Sequence, residues 1–342
     1  MKILLLGAFS FDKLDVGGQP VKTRELYNSL VDKLGRKSVK CIETVGWKKN
    51  KIKIVFSVIK SFFASDCVIM LPAQNGVLKL SNLLTILRRF RKKTKLFYDV
   101  IGGWLPDLLK CNFKVKKNLS KFNGIWVETD SMKKSLNDLE LNNVTVVPNF
   151  RNERVCLRID FQDTTPHKLC IFSRIMKEKG IDLAIKAVAS TNLEYGTIFT
   201  LDIYGPIDES YYQDFYKAIN SNPFINYCGV KKPEESKILL SKYFALLFPT
   251  YYPGEGMAGT IIDAFFAGCP VIASDWKYNK EIVNDKVGLI FSPINAESLK
   301  SSLLKTIQNP DGWLAKRNNC LMEAAKYTRD NNINKIMIEL EQ

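Results

Sequence analysis

At 342 residues the chain has room for two domains of roughly 100 to 200 residues each. With 46% apolar and 25% charged residues it cannot be a disordered, collagen-like or low-complexity polymer. The formal net charge of +15 lies wholly in residues 1–150, where 27 basic side chains face 12 acidic ones, against 23 and 23 in the remainder. Such an imbalance predicts two chemically different lobes and a polyanionic neighbour for the first.

Residues 2–10 form a short apolar run followed by Asp12 and Lys13, which reads as a first β-strand rather than a leader peptide and gives a cytosolic expectation. Next comes Asp15-Val16-Gly17-Gly18-Gln19-Pro20, opening a helical pattern at Val21. Adjacent glycines let a ligand approach the backbone, and a helix N-terminus attracts phosphate, so Gly17 and Gly18 are candidate donor contacts; a plain turn fits equally well. Further β-branched and aliphatic runs follow at 39–46, 67–73, 95–100, 124–129 and 144–150, mostly separated by stretches with helical spacing. Three basic and aromatic clusters interleave with them: Lys48, Lys49, Lys51 and Lys53 beside Trp47; Arg88 to Lys95 around Phe90; and Lys110 to Lys121 with Trp104 and Phe113. Basic groups beside aromatic rings suit an anionic membrane surface. Solvated helix faces are the plainer reading. No apolar stretch supplies the roughly 18 uninterrupted residues of a membrane span, since 54–73 is broken by Lys60 and Asp66.

Residues 151–167 lack either periodicity and read as a linker between a domain at 1–150 and one at 168–326. The second half repeats the theme with runs at 168–175, 200–206, 225–230, 244–250, 269–275 and 287–292. Nearly continuous apolar strands alternating with helices predict two doubly wound, Rossmann-like α/β domains with parallel sheets, facing one another across a cleft. Ligands of such sheets bind beyond the carboxyl ends of the strands.

Two of those ends carry chemistry. After the run at 168–175, Arg174 and Lys179 flank a strand-to-helix loop where two cations could neutralise a diphosphate, although taken alone the loop reads first as solvated surface charge. After the run at 244–250 come Glu255, the small residues Gly256, Met257, Ala258, Gly259 and Thr260, then Asp263 on a helix that Gly268 stops. The Glu255 carboxylate can accept sugar hydroxyls, the amides of 256–260 can face an anion, and Asp263, one turn past Gly259, can accept from a ribose diol. The competing reading has Glu255 merely complementing the helix dipole and Asp263 solvated.

The run E-G-M-A-G-T-I-I-D-A-F-F-A-G-C-P-V-I-A-S-D resembles the E-x7-E signature of retaining family 4 glycosyltransferases with the GT-B fold. The likeness extends through Ser173-Arg174 to Lys179-Gly180, Ile203-Tyr204-Gly205-Pro206, Tyr227-Cys228-Gly229-Val230 and Val147-Pro148-Asn149, covering most of residues 145 to 295. It implies transfer of a sugar from a nucleotide-diphosphate donor, a UDP-sugar being favoured, with retention and with neither metal nor other cofactor. It also implies that Arg174 and Lys179 hold the diphosphate, Glu255 the donor sugar and Asp263 the ribose, that Gly205 and Val230 lie by the base, and that residues 327–342 return to the first domain. The acceptor implied is a glycan or lipid-linked oligosaccharide of the cell envelope, such as capsule or O-antigen, met at the inner membrane face.

Two departures stand out. The second acidic position is Asp263, one methylene shorter than glutamate. Relatives often carry a histidine after the fourth strand of the first domain; here that loop reads Tyr98-Asp99-Val100-Ile101-Gly102-Gly103-Trp104, so Asp99, Gly102, Gly103 and Trp104 become acceptor-side candidates, with a core turn the alternative.

The single histidine, His167, argues against Ser-His-Asp catalysis and multi-histidine metal sites. Eight cysteines (41, 67, 111, 156, 170, 228, 269, 320) without a C-x-x-C pair read as reduced, buried hydrophobes. A retaining hydrolase would need two carboxylates about 5 to 5.5 Å apart across the bond; with carboxylates on the donor side alone, front-face substitution is expected. A nucleotide-sugar epimerase of similar build is the main rival. A nucleic-acid binder lacks any base-reading motif, and a dehydrogenase lacks G-x-G-x-x-G.

Overall fold

The computed structural model describes residues 1–11, 17–47, 49–155 and 160–342. Asp15 and Val16 of the first glycine loop, Lys48, Cys156 and residues 157–159 of the expected linker lie outside the described residues. The chain divides into two units, Met1–Glu153 with Tyr327–Gln342, and Arg154–Lys326.

In the first unit β1 (Ile3–Gly7), β2 (Val39–Glu43), β3 (Cys67–Met70), β4 (Lys95–Asp99), β5 (Gly124–Val127) and β6 (Val144–Val146) form a wholly parallel sheet in the order β2-β1-β3-β4-β5-β6. In the second, β7 (His167–Phe172), β8 (Phe199–Tyr204), β9 (Ile225–Tyr227), β10 (Ala245–Phe248), β11 (Val271–Ser274) and β12 (Gly288–Phe291) form another, in the order β12-β11-β10-β7-β8-β9. All twelve expected runs form strands, each shorter than its run. The surplus apolar residues, such as Ala8, Phe9, Val100, Val147 and Phe150, are buried in loops past the carboxyl edge of the first sheet. Apolarity there reports burial rather than pairing.

Both sheets reverse strand order once, between β1 and β3 and between β7 and β10. At such a switch point the flanking loops diverge to opposite faces and leave a crevice at the carboxyl edge. Each sheet is sealed by its own core: Leu5, Ile69, Phe97 and Trp126 in the first unit, Leu169, Ile171, Leu201 and Leu247 in the second.

The terminal helix Arg329–Glu341 belongs to the first unit. Ile333, Ile336, Met337 and Leu340, spaced by three, four and seven, join its core, and Lys95 donates to the Leu340 carbonyl at 2.9 Å. The strand-like pairing of Arg151 with Thr328 brings the chain's exit and return together, so residues 151–153 belong to the first unit and His167 opens β7. Among the cysteines Cys67, Cys170, Cys269 and Cys320 are buried as expected, whereas Cys111, at the end of a short surface helix, is exposed.

Candidate active site

The loops after β7 and β10 flank the switch point of the second sheet and are stitched to each other. After β7 the chain passes Ser173 and Arg174, makes a short turn over Lys177–Lys179 and enters the helix Ile181–Tyr195 through Gly180. Gly180 has φ +71°, and a Cβ there would lie 2.1 Å from the Pro249 carbonyl oxygen. Only glycine permits this contact, because the conformation is left-handed and the space is filled by backbone. The Glu178 carbonyl accepts from the Tyr251 amide at 2.8 Å.

This apposition brings Lys179 to Glu255. Lys179 Nζ lies 2.6 Å from Glu255 Oε2, and the Thr250 hydroxyl donates to the same oxygen at 2.8 Å. The ammonium also sits over the rings of Tyr252 and Phe248, 5.1 and 5.7 Å from their centroids. Glu255 is 8% exposed. Its turn is held by the Tyr252 carbonyl, which accepts from the Glu255 amide at 3.1 Å and from Trp276 Nε1 at 2.7 Å.

Beyond that turn Gly256 and Met257 are buried, and the helix Gly259–Phe266 starts from Ala258, which has no side chain able to cap it. The Thr260 hydroxyl donates back to the Phe172 carbonyl at 3.0 Å, tying this helix to the end of β7. Asp263, also 8% exposed, accepts from the Ser236 hydroxyl at 3.2 Å. It is thus set against the segment Pro233–Glu235 and the helix Ser236–Leu240 rather than solvated.

Gly205, at the end of β8, has φ +138°, and a Cβ there would lie 1.8 Å from the Ser173 carbonyl oxygen. It donates to the Gly229 carbonyl at 3.0 Å and accepts from the Tyr227 hydroxyl at 3.1 Å, so the ends of β7, β8 and β9 lie side by side, with Val230 exposed just beyond. Arg174 is exposed at the same edge. Of the candidates in the second unit, Lys179 and Glu255 are joined directly, whereas Thr250, Ser236 and Trp276 are contacts that the sequence did not single out, because they depend on hydrogen bonds between segments distant in the chain.

The first unit's candidates sit at its own switch-point edge. Gly17 caps the helix Gly18–Leu34 in extended conformation, and Gln19 Nε2 donates to the Leu71 carbonyl at 3.1 Å. Asp99, expected to face an acceptor hydroxyl, is instead 2% exposed and pairs with Lys22 Nζ at 2.8 Å. Lys22 also reaches Glu128 at 3.1 Å and donates to the Val100 carbonyl at 2.9 Å. Burial lifts the Asp99 carboxyl above the usual range despite the lysine, while Lys22, disfavoured by burial but flanked by two carboxylates, holds its proton above the usual lysine range. One cation between two buried acids accounts for both directions. Gly102 adopts φ +88°, Gly103 is buried beside it, and Trp104 Nε1 donates to the Ile101 carbonyl at 2.8 Å, folding this loop on itself.

Among the described residues no three His, Cys, Asp or Glu side chains gather as a metal site would require. Nor is any described helix long and apolar enough to cross a membrane.

Two parallel doubly wound units of this kind make the GT-B architecture, and the second carries a Lys–Glu pair at its switch point. Residues 158–327 match the family described as Glycosyl transferases group 1. It is 26% identical over 147 residues to the uncharacterized glycosyltransferase MJ1069 of Methanocaldococcus jannaschii, a match covering 42% of this chain and 36% of that protein. The chain thus spans little more than a third of that curated relative's length. Its fold is similar to that of Anabaena Alr3699/HepE in complex with UDP-glucose, with a TM-score of 0.75 at 15% identity over 100% of this chain and 99% of that one. It is also similar to sucrose-phosphate synthase from Thermosynechococcus elongatus, with a TM-score of 0.76 at 13% identity over 98% and 97%.

Proposed function

We propose that the protein is a retaining glycosyltransferase that moves a hexose from a nucleotide-diphosphate sugar to a glycan acceptor without a metal or other cofactor. A UDP-sugar is the favoured donor, consistent with the UDP-glucose held by the Anabaena protein of like fold. The acceptor is a lipid-linked oligosaccharide of envelope polysaccharide assembly, reached from the cytoplasmic face of the membrane by the basic first unit.

The observation that carries this reading is the Lys179–Glu255 pair at the crevice between β7 and β10. An ammonium has three N–H donors, so Lys179 can hold Glu255 and still offer hydrogen to a phosphate oxygen. With Arg174 it would stabilise the charge that grows on the diphosphate as the anomeric carbon–oxygen bond breaks. The acceptor hydroxyl oxygen bonds to the anomeric carbon on the face being vacated, and its proton passes to the departing phosphate oxygen. The unpaired oxygen of Glu255 would orient sugar hydroxyls, and Asp263 would accept from the ribose. Gly17, Gly18, Gly205, Val230 and the amides of 256–260 would line the donor, and Gly102, Gly103 and Trp104 the acceptor.

The test is a thermal-shift comparison of UDP, GDP and ADP, followed by the matching sugar nucleotides, since a bound ligand raises apparent stability by mass action. NMR of the transferred sugar then reads its anomeric configuration. A shift with UDP and an unchanged anomeric configuration support the reading; an inverted product, or an epimerised donor formed without acceptor, rejects it.

A further inference from the structure

The helix Lys51–Phe62 is apolar on two faces, and only one of them is covered. Val58 and Phe62 are buried against the first unit. On the other side Ile52, Val55, Phe56 and Phe63 follow a spacing of three, four and eleven, with Ile52 88% and Phe56 68% exposed. An amphipathic helix of a globular domain needs one apolar stripe; a second, facing outward, has no role in the fold.

The charge around that stripe has one sign. Residues 44–65 contain five lysines and neither aspartate nor glutamate. Lys49, Lys51, Lys53 and Lys60 are all exposed. Trp47, half-buried, is overlaid by Lys79 Nζ at 3.9 Å and Lys51 Nζ at 5.6 Å, which joins this helix's start to the adjacent helix Gln74–Phe90. That neighbour also exposes Leu78, Ile86 and Phe90. Both helices follow strands of the parallel sheet, β2 and β3, so their N-termini share the carboxyl edge that carries Gly17 and Gly102.

We infer that the helix Lys51–Phe62 is an interfacial anchor that lies in the plane of an anionic bilayer, with Ile52 and Phe56 among the acyl chains and its lysines at the headgroups. Twelve residues at 1.5 Å each are too short to span the roughly 30 Å hydrocarbon core, and the stripe of apolar side chains suits parallel insertion. A second copy of the chain is disfavoured because self-docking would oppose the same lysines. This deepens the lipid-linked acceptor reading given above and rests on it only for its biological purpose; donor binding is measured separately.

The test is co-sedimentation of the full chain with vesicles of phosphatidylcholine alone and with phosphatidylglycerol added, alongside a UDP thermal shift on each variant. Binding is expected to the anionic vesicles, to fall with added salt, and to weaken by about tenfold or more in Phe56→Glu and Ile52→Glu. Leu193→Glu, an equally exposed apolar site in the second unit, should bind vesicles as the parent does. Equal binding to both vesicle types, unchanged binding by Phe56→Glu, or a Phe56-dependent dimer in sedimentation velocity without vesicle binding would overturn the inference. In the wild-type chain, no vesicle binding beside a clear UDP shift refutes the anchor alone, and vesicle binding with no UDP shift refutes the donor reading alone.

Discussion

Lys179 and Glu255 stand 76 residues apart in the sequence and 2.6 Å apart across the switch point of the second sheet. Glycine at 180, where a Cβ would collide with the Pro249 carbonyl, and the Tyr251 amide's hydrogen bond to the Glu178 carbonyl let their loops close to this distance. The pair is a positive group held ready by a negative one, at the edge where doubly wound sheets bind phosphates.

Replacing Lys179 with alanine is expected to lower turnover about a hundredfold, the usual cost of removing one charge-stabilising donor. Glu255→Gln should lower turnover while raising the donor KM, because it removes the negative charge that holds Lys179 and weakens the proposed sugar contact. Steady-state kinetics on both variants checks this, and parental turnover in Lys179→Ala removes the lysine from the mechanism.

Gly180→Ala and Gly205→Ala should each destabilise the second unit by about 1–3 kcal/mol or more, from a left-handed or otherwise strained backbone and a collision with a carbonyl. Urea unfolding reads the loss. Gly196, also at positive φ but with open space around its Cβ position, should lose less on the same substitution.

Lys22→Met leaves Asp99 and Glu128 buried without their cation, and should cost about 3–5 kcal/mol at neutral pH. The Asp99 carboxyl is already raised by burial. For a group raised on folding, stability is fully present below its unfolded pKa and is lost as pH rises through the folded value. Removing the lysine raises that value further, so the deficit should be smaller at about pH 5 than at about pH 8. Urea titrations at both values decide it, and a deficit that grows on acidification contradicts the assignment.

Asp263→Ala should weaken UDP binding about tenfold if the proposed ribose contact is made, while leaving pyrophosphate binding unchanged. Calorimetry with UDP and with pyrophosphate separates the two. Asp263→Glu tests whether the shorter side chain was offset by Ser236, which donates to it at 3.2 Å.

Much of this was legible from residues alone. Twelve apolar runs marked twelve strands, because parallel strands buried on both faces show no alternation to obscure them. Glu255 stood out because it follows a strand among small residues, whereas Lys179 stood out only through the resemblance that its loop shares. Sheet order was not readable, since nothing in a run of valines and isoleucines states its neighbour. Asp99 could not be resolved between an acceptor contact and a core turn for a related reason: its partner Lys22 sits 77 residues upstream on a helix that presents an ordinary surface pattern in sequence, and only packing draws that lysine inside. Trp276 gave no signal, because its contribution is one hydrogen bond to a backbone carbonyl.

Calorimetric titration of UDP into the wild-type chain and into Lys179→Ala tests the central claim most directly, because it reads diphosphate capture at the β7–β10 edge without an acceptor. Saturable binding of UDP, much weaker binding of uridine, and a loss of about tenfold or more in Lys179→Ala are expected. Equal affinity for UDP and uridine, or an affinity indifferent to Lys179, would contradict it.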